Sequence, residues 1–178
     1  MIRLFCAIGV PAEIAEVLER RQRGLPGARW RPPETLHLTL RFFGDMAENL
    51  ADDLDAELSM IGGAPFEISL TGVGSFGEGE RMRALWAGVS DSEPLRILAG
   101  RCERAARRAG LKPETRNYAP HVTLAYLNRA DPARVAAWMQ GHNLLKSPPF
   151  RVDRFGLYSS WPGENGSSYR LERAYRLS

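Results

Sequence analysis

The pentapeptide L-H-L-T-L at residues 36–40 returns as P-H-V-T-L at 120–124. That repetition constrains the fold more than any other feature of the chain. The two histidines, His37 and His121, stand 84 residues apart, a period too long for a solenoid, so two copies specify a pseudo-two-fold domain. The same offset lays the helix-periodic segment 11–23 over 95–107 and the segment 48–61 over 132–145, where Asp131-Pro132 supplies an N-cap and a first helical residue. It lays F-E-I-S-L-T-G at 66–72 over F-R-V-D-R-F-G at 150–156, and 82–89 over a closing strand near 166–173. Each half then reads as helix, H-x-T strand, helix, strand, strand, with an extra strand at 2–8 in front. The expected class is α+β: a bilobal, pseudo-two-fold arrangement of two mainly antiparallel sheets with outer helices, the H-x-T strands lining a central cleft. The expected organisation is one domain, 1–178, built of two repeats, roughly 1–90 and 91–178, with strand exchange between the lobes left open.

A chain of 178 residues with 44% hydrophobic and 25% charged residues has the composition of an ordinary globular domain, not of a disordered, collagenous or membrane-spanning one. Cys6 and Cys102 lie in apolar surroundings, which argues against a disulfide framework and for a reducing compartment. The opening M-I-R-L-F-C-A-I-G-V runs directly into Pro11 and Glu13 without a cleavage pattern, so it reads as a strand. The expected setting is cytoplasmic, with no membrane partner and a monomeric state. Residues 1–90 carry 9 basic and 13 acidic groups (−4) and residues 91–178 carry 15 and 8 (+7). That asymmetry is weak support for an anionic ligand, because Arg96, Arg101, Arg104, Arg107 and Arg108 fit the solvated side of a helix whose other side is Leu95, Leu98, Cys102, Ala105 and Ala109.

On a strand, residues two apart share a face. His37 and Thr39 therefore project together, as do His121 and Thr123, with Leu36, Leu38, Leu40 and Phe42 forming the core stripe behind the first pair. Two imidazoles and two hydroxyls brought together by a pseudo-two-fold axis suit paired acid/base chemistry, one ring taking a proton while the other gives one. A lone His beside a Thr is usually a satisfied structural residue. With only 3 His and 5 Thr in the chain, two His-x-Thr units at the repeat offset are poorly explained by chance. His142, in G-H-N, has no such partner and reads as a loop residue. A metal is disfavoured, since zinc needs three or four clustered ligands, and no cofactor is expected. G-V-G-S-F-G at 72–77 does not fit a nucleotide-binding glycine loop and reads as strand end and turn. No G-x-S-x-G elbow is present.

These residues resemble the two-histidine phosphoesterases, and more closely the RNA 2′,3′-cyclic phosphodiesterase family, also called 2′-5′ RNA ligases. The resemblance spans almost the whole chain. It rests on R-W-R-P-P-E-T-L-H-L-T-L-R-F-F-G at 29–44, R-N-Y-A-P-H-V-T-L-A-Y at 116–126, and G-V-G-S-F at 72–76 followed by A-L-W-A-G-V at 84–89. It implies metal-independent opening of a 2′,3′-cyclic phosphate at an RNA end, or on a nucleotide, to a 2′-phosphomonoester, with reversible 2′-5′ ligation as a side capacity. Residue by residue, it implies His37 as proton donor, His121 as proton acceptor, and Thr39 and Thr123 as phosphate-binding hydroxyls. One departure is Tyr126, where the family often has Arg; on a regular strand this position points away from the histidine face. Arg41, expected on the His37 face, and Arg116 are candidate phosphate or RNA contacts, with structural salt bridges as the alternative. Tyr118 and Phe76 are candidate base-stacking residues, with core packing as the alternative. Two competing functions are a two-histidine phosphodiesterase acting on 2′-5′ oligonucleotides or small cyclic nucleotides, and a non-catalytic nucleotide- or RNA-end-binding module.

Overall fold

The computed structural model describes residues 1–178. Its first part runs β1 (Ile2–Gly9), α1 (Ala12–Glu19), β2 (Ala28–Trp30), β3 (His37–Met46), α2 (Glu48–Ser59), β4 (Phe66–Ile68), β5 (Leu70–Phe76) and β6 (Ala84–Val89). It continues with α3 (Glu93–Arg108), β7 (His121–Leu127), α4 (Pro132–His142), β8 (Phe150–Val152), β9 (Arg154–Trp161) and β10 (Ser168–Arg176). Helix starts follow local chemistry. The Asp131 carboxylate accepts the Ala133 N–H at 3.0 Å ahead of Pro132, and the Ser92 hydroxyl accepts the Leu95 N–H at the head of α3, each satisfying a donor the first turn leaves free. No helix is long and apolar enough to cross a membrane.

One antiparallel sheet of eight strands follows the path β10-β9-β1-β3-β7-β6-β5, with β2 off that path on β7. The two expected antiparallel sheets are the halves of this sheet: β10, β9, β1 and β3 on one side, and β7, β6, β5 and β2 on the other. A single residue pair, Leu38 with Val122, joins them, and these two hold the same place in the two H-x-T motifs. The small β4–β8 sheet is centred on Glu67 opposite Arg151, again 84 residues apart. An antiparallel contact centred on equivalent residues is what a local two-fold axis requires. β5 and β6, from the first part of the chain, lie beside β7, while β9 and β10 lie on the β1–β3 side.

The strand equivalence needs one correction. The 84-residue offset lays β6 over β10, yet β10 is an edge strand, whereas β6 flanks β7 as β1 flanks β3. Gly88 sits opposite His121 and Gly9 opposite His37. The supernumerary strand is therefore the last, not the first. Each H-x-T strand needs a hydrogen-bonded neighbour along the edge away from the axis, and the strand entering the next helix supplies it.

α3 packs on β3 and α2, and Leu95, Leu98, Cys102, Ala105 and Ala106 join Leu36, Leu38, Leu40, Val122 and Leu124 in one buried cluster. Each buried leucine there contributes about 1.5–3 kcal/mol, which fixes the backs of the two H-x-T strands. Four of the five arginines of α3 are absorbed locally: Arg96 on Asp91, Arg107 on Glu103, Arg108 on Glu57, and Arg101 on the Gly62 carbonyl. His142 departs from its loop reading. It ends α4, with its Nδ1 2.6 Å from the Trp138 carbonyl and its ring stacked on Trp138.

Candidate active site

Extending the Leu38–Val122 register by one residue each way sets His37 beside Thr123 and Thr39 beside His121. Paired strands lie about 5 Å apart and same-face residues about 7 Å apart along each strand, so the two imidazoles take diagonal corners of a small rectangle and the two threonines the others. His37, Thr39 and Thr123 line a cleft of about 250 Å³, together with Arg31, Phe42, Tyr126, Tyr169 and five others. His121 stands just along β7, with its ring 4.7 Å from Phe76 in an edge-to-face contact. Phe76 thus reaches the site as the packing partner of a histidine.

Both imidazoles are oriented in the same way. His37 Nδ1 lies 2.8 Å from the Thr35 carbonyl and His121 Nδ1 lies 2.7 Å from the Ala119 carbonyl, each two residues upstream. A carbonyl can only accept, so each Nδ1 carries the proton and each Nε2 is left to exchange one. The Thr35 carbonyl is presented by a 3₁₀ turn, Pro33–Thr35. Phe5 at 4.8 Å and Tyr169 at 4.9 Å between ring centroids enclose His37. Burial pushes the His37 pKa below the ordinary imidazole value; the Thr35 carbonyl opposes this, while Arg31 and His121 push further down. Trp86 lies beside Phe76, 5.9 Å between ring centroids, and 6.5 Å from the His121 ring, in space that exists because residue 74 is glycine: a Cβ there would sit 2.3 Å from the Trp86 ring.

Two β-bulges overturn the face assignments beyond the motifs. On β3, Cys6 pairs with Arg41 and Ala7 with Thr39, so Leu40 is the extra residue. On β7, Leu85 pairs with Ala125 and Trp86 with Thr123, so Leu124 is extra. An extra residue inverts the alternation after it. Arg41 therefore leaves the histidine face and turns to α3, where it pairs with Glu103 and donates to the Lys112 carbonyl at 2.8 Å. Phe42 and Tyr126, again 84 residues apart, swing into the cleft instead. Phe42 thus leaves its expected core stripe, and Tyr126 does not point away as a regular strand would have it.

Arg116 also lies off the cleft lining. It is exposed and bidentate with Glu114, whose carboxyl it pulls down to about 2. Tyr118 is a tie rather than a stacking platform, its hydroxyl donating to the Thr39 carbonyl at 2.9 Å. The residue that sequence reasoning missed is Arg31, 4% exposed and part of the cleft lining. Its guanidinium lies 5.7 Å from the Tyr126 ring centroid, so a cation reaches position 126 from the segment that follows β2. Its signal was an arginine inside the R-W-R-P-P approach to the first motif, which carries no information about direction without the fold.

The model of the 2′-5′ RNA ligase superfamily matches residues 10–162. The chain is 30% identical over 177 residues, 98% of this chain and 99% of the other, to a protein of Archaeoglobus fulgidus named RNA 2′,3′-cyclic phosphodiesterase. It is 28% identical over 184 residues, 99% and 98% of the two chains, to one of the same name from Aquifex aeolicus. Among solved structures, LigT of E. coli complexed with 3′-AMP superposes with a TM-score of 0.80 at 26% identity, covering 99% of this chain and 98% of the other. A protein of Thermus thermophilus gives 0.82 at 26%, covering 98% and 97%. With mixed helices and antiparallel strands, the doubled H-x-T motif at the join of the two half-sheets, and a model match over most of its length, the chain belongs to the 2′-5′ RNA ligase superfamily.

Proposed function

We propose that this protein opens 2′,3′-cyclic phosphates at RNA ends to 2′-phosphomonoesters by paired-histidine acid/base catalysis without a metal, the whole chain acting as one unit in which each lobe supplies one H-x-T. The observation that carries this reading is the matched pair of imidazoles, each with Nδ1 tied to a backbone carbonyl and Nε2 left to move a proton, on the face that bears Thr39 and Thr123. The names of the full-length relatives support the same substrate class.

In the forward step, His121 Nε2 takes a proton from water as its oxygen attacks phosphorus in line with the departing 3′-oxygen. The P–O3′ bond breaks, and the His37 imidazolium gives its Nε2 proton to that oxygen. The product is a 2′-phosphomonoester with a free 3′-hydroxyl, and the two rings then exchange protons with solvent to reset. The Thr39 and Thr123 hydroxyls donate to the non-bridging oxygens, whose charge grows in the transition state. The low pKa of His37 makes its imidazolium a stronger acid toward the leaving oxygen. A 5′-hydroxyl in place of water would give a 2′-5′ linkage by the same displacement, and water outcompetes it by abundance.

The test is a substrate panel in excess chelator: 2′,3′-cyclic mononucleotides, a 2′,3′-cyclic-ended oligoribonucleotide and a 2′-5′-linked oligonucleotide, with products separated by phosphate position. Formation of 2′-monophosphates from the cyclic substrates supports the proposal. Binding without turnover supports the end-binding module instead, cleavage confined to 2′-5′ linkages supports the alternative diesterase, and turnover that needs added divalent metal contradicts acid/base catalysis by the pair alone.

A further inference from the structure

Arg31 is nearly fully buried, yet it takes part in no salt bridge, and no carboxylate lines the cleft it faces. Arg41, whose side chain is 9% exposed, shows what this chain does with a buried structural guanidinium: it pairs it with Glu103. A buried cation without a counter-charge is costly, because the solvation it loses is not replaced. Arg31 is nonetheless held firmly. Its N–H donates to the Leu124 carbonyl at 2.8 Å, at the β7 bulge beside Thr123, and its own carbonyl accepts from Gln22 Nε2 at 2.9 Å. Its Nη2 donates to the Ser167 carbonyl at 2.8 Å, and its guanidinium carbon lies 5.7 and 5.6 Å from the Tyr126 and Tyr169 ring centroids. The turn before β10 is shaped around it: Gly166 has φ +100°, and a Cβ there would lie 2.7 Å from Arg31 Nη1. Aromatic faces, a bulge and a glycine thus hold a guanidinium at the wall that also bears His37, Thr39 and Thr123, without neutralising it.

We propose that Arg31 is the anion-binding residue of this cleft, its guanidinium taking the negative charge of the substrate's phosphodiester between the two threonines. The proposal rests on the function proposed above and adds to it the residue that recognises the anion. A guanidinium offers planar donors matched to two phosphate oxygens. In the free protein Arg31 repels the charged form of His37. A bound anion offsets that repulsion, so binding favours the protonated His37 that donation requires.

The experiment uses the full chain and its Arg31→Met variant. It measures inorganic phosphate and nucleoside 2′-monophosphate binding by calorimetry, His37 titration by NMR with and without phosphate, thermal unfolding, and kcat and KM on a 2′,3′-cyclic nucleotide. Arg31→Met should bind phosphate at least tenfold more weakly and lose roughly 10–100-fold in kcat/KM, mainly through KM. Its unfolding temperature should equal or exceed that of the parent, since an uncompensated charge has been removed. Free His37 should titrate at higher pH than in the parent, and phosphate should move that titration far less. Gly166→Ala keeps the charge but displaces the guanidinium, and it should weaken phosphate binding in the same direction, which keeps the test open if Arg31→Met fails to fold. Parental phosphate affinity in either variant overturns the proposal. Because phosphate binding is read without turnover, a parent that binds phosphate through Arg31 but hydrolyses no cyclic phosphate sinks the proposed function alone. A parent that turns over while Arg31→Met keeps its kcat/KM sinks this inference alone.

Discussion

Replacing Glu103 with alanine separates the fold from the site at the residue where the two were easiest to confuse. Glu103 accepts from Arg41, from Arg107 Nε at 3.0 Å and from the Glu114 N–H at 2.9 Å. The Arg41 and Glu103 side chains are 9% and 19% exposed, so Glu103→Ala leaves the Arg41 guanidinium buried with no carboxylate. Breaking a fully buried pair costs about 3–5 kcal/mol, and the partial exposure of Glu103 brings this to about 2–4 kcal/mol. At roughly 2–4 °C per kcal/mol for a chain of this size, the unfolding temperature should fall by about 5–15 °C. Because Arg41 points at α3 and away from the cleft, kcat/KM on a cyclic nucleotide at 25 °C should stay within about twofold of the parent. The effect should also depend on pH. Burial alone would raise the Glu103 carboxyl, but the Glu114 N–H, Arg41 and Arg107 outweigh it and hold the group below its ordinary value. Its contribution to stability is then fully present above the unfolded value near 4.3 and is lost as pH falls through the lower folded one, so the gap between parent and variant should close in acid. Calorimetric or circular-dichroism melts from pH 3 to 8, with steady-state kinetics beside them, check both points. An unchanged melting temperature, or a large loss of turnover in a stably folded variant, would return Arg41 to the site and refute the bulge argument.

Three further outcomes follow from the geometry. Gly74→Ala places a Cβ against the Trp86 ring, so it should cost about 1–3 kcal/mol by overpacking and lower kcat through His121; Gly62→Ala, where a Cβ meets nothing within 4 Å, should change neither, and equal behaviour of the two variants contradicts the packing account. The rate profile should be bell-shaped with limbs bracketing roughly pH 5–8 that belong to the coupled pair. Since burial, Arg31 and His121 depress His37 in the free protein and a bound anion relieves part of this, the pH optimum of kcat should lie above that of kcat/KM; coincident optima contradict it.

The doubled H-x-T pattern was legible because it combines two independent periodicities, one along each strand and one along the chain. It led to the axis at Leu38 and Val122 and to the four side chains around it. What could not be read was parity after Thr39 and Thr123. A bulge leaves no mark in a run such as L-R-F-F or L-A-Y, because it depends on which residue of the neighbouring strand meets which. Arg41, Phe42 and Tyr126 were therefore assigned to the wrong faces together, and for one reason. Arg31 was hidden differently: it follows a three-residue strand whose register on β7 is a long-range contact, and only the β9–β10 connection, some 136 residues away, shows that its charge has an aromatic seat and no acid. The equivalence of β6 with β1 rather than β10 failed because a fixed offset cannot detect which strand is the supernumerary one.

Turnover by His37→Ala, His121→Ala and the double variant, each confirmed as folded by thermal unfolding and as able to bind a nucleoside 2′-monophosphate, probes the paired imidazoles most directly. Each single variant should lose roughly 10²–10⁴-fold in kcat, the usual worth of a positioned proton-transfer group, and the double variant should be little worse than the poorer single, because the two rings act in one step. Near-parental kcat in either folded single variant, or losses that multiply in the double, would contradict catalysis by the His37–His121 pair.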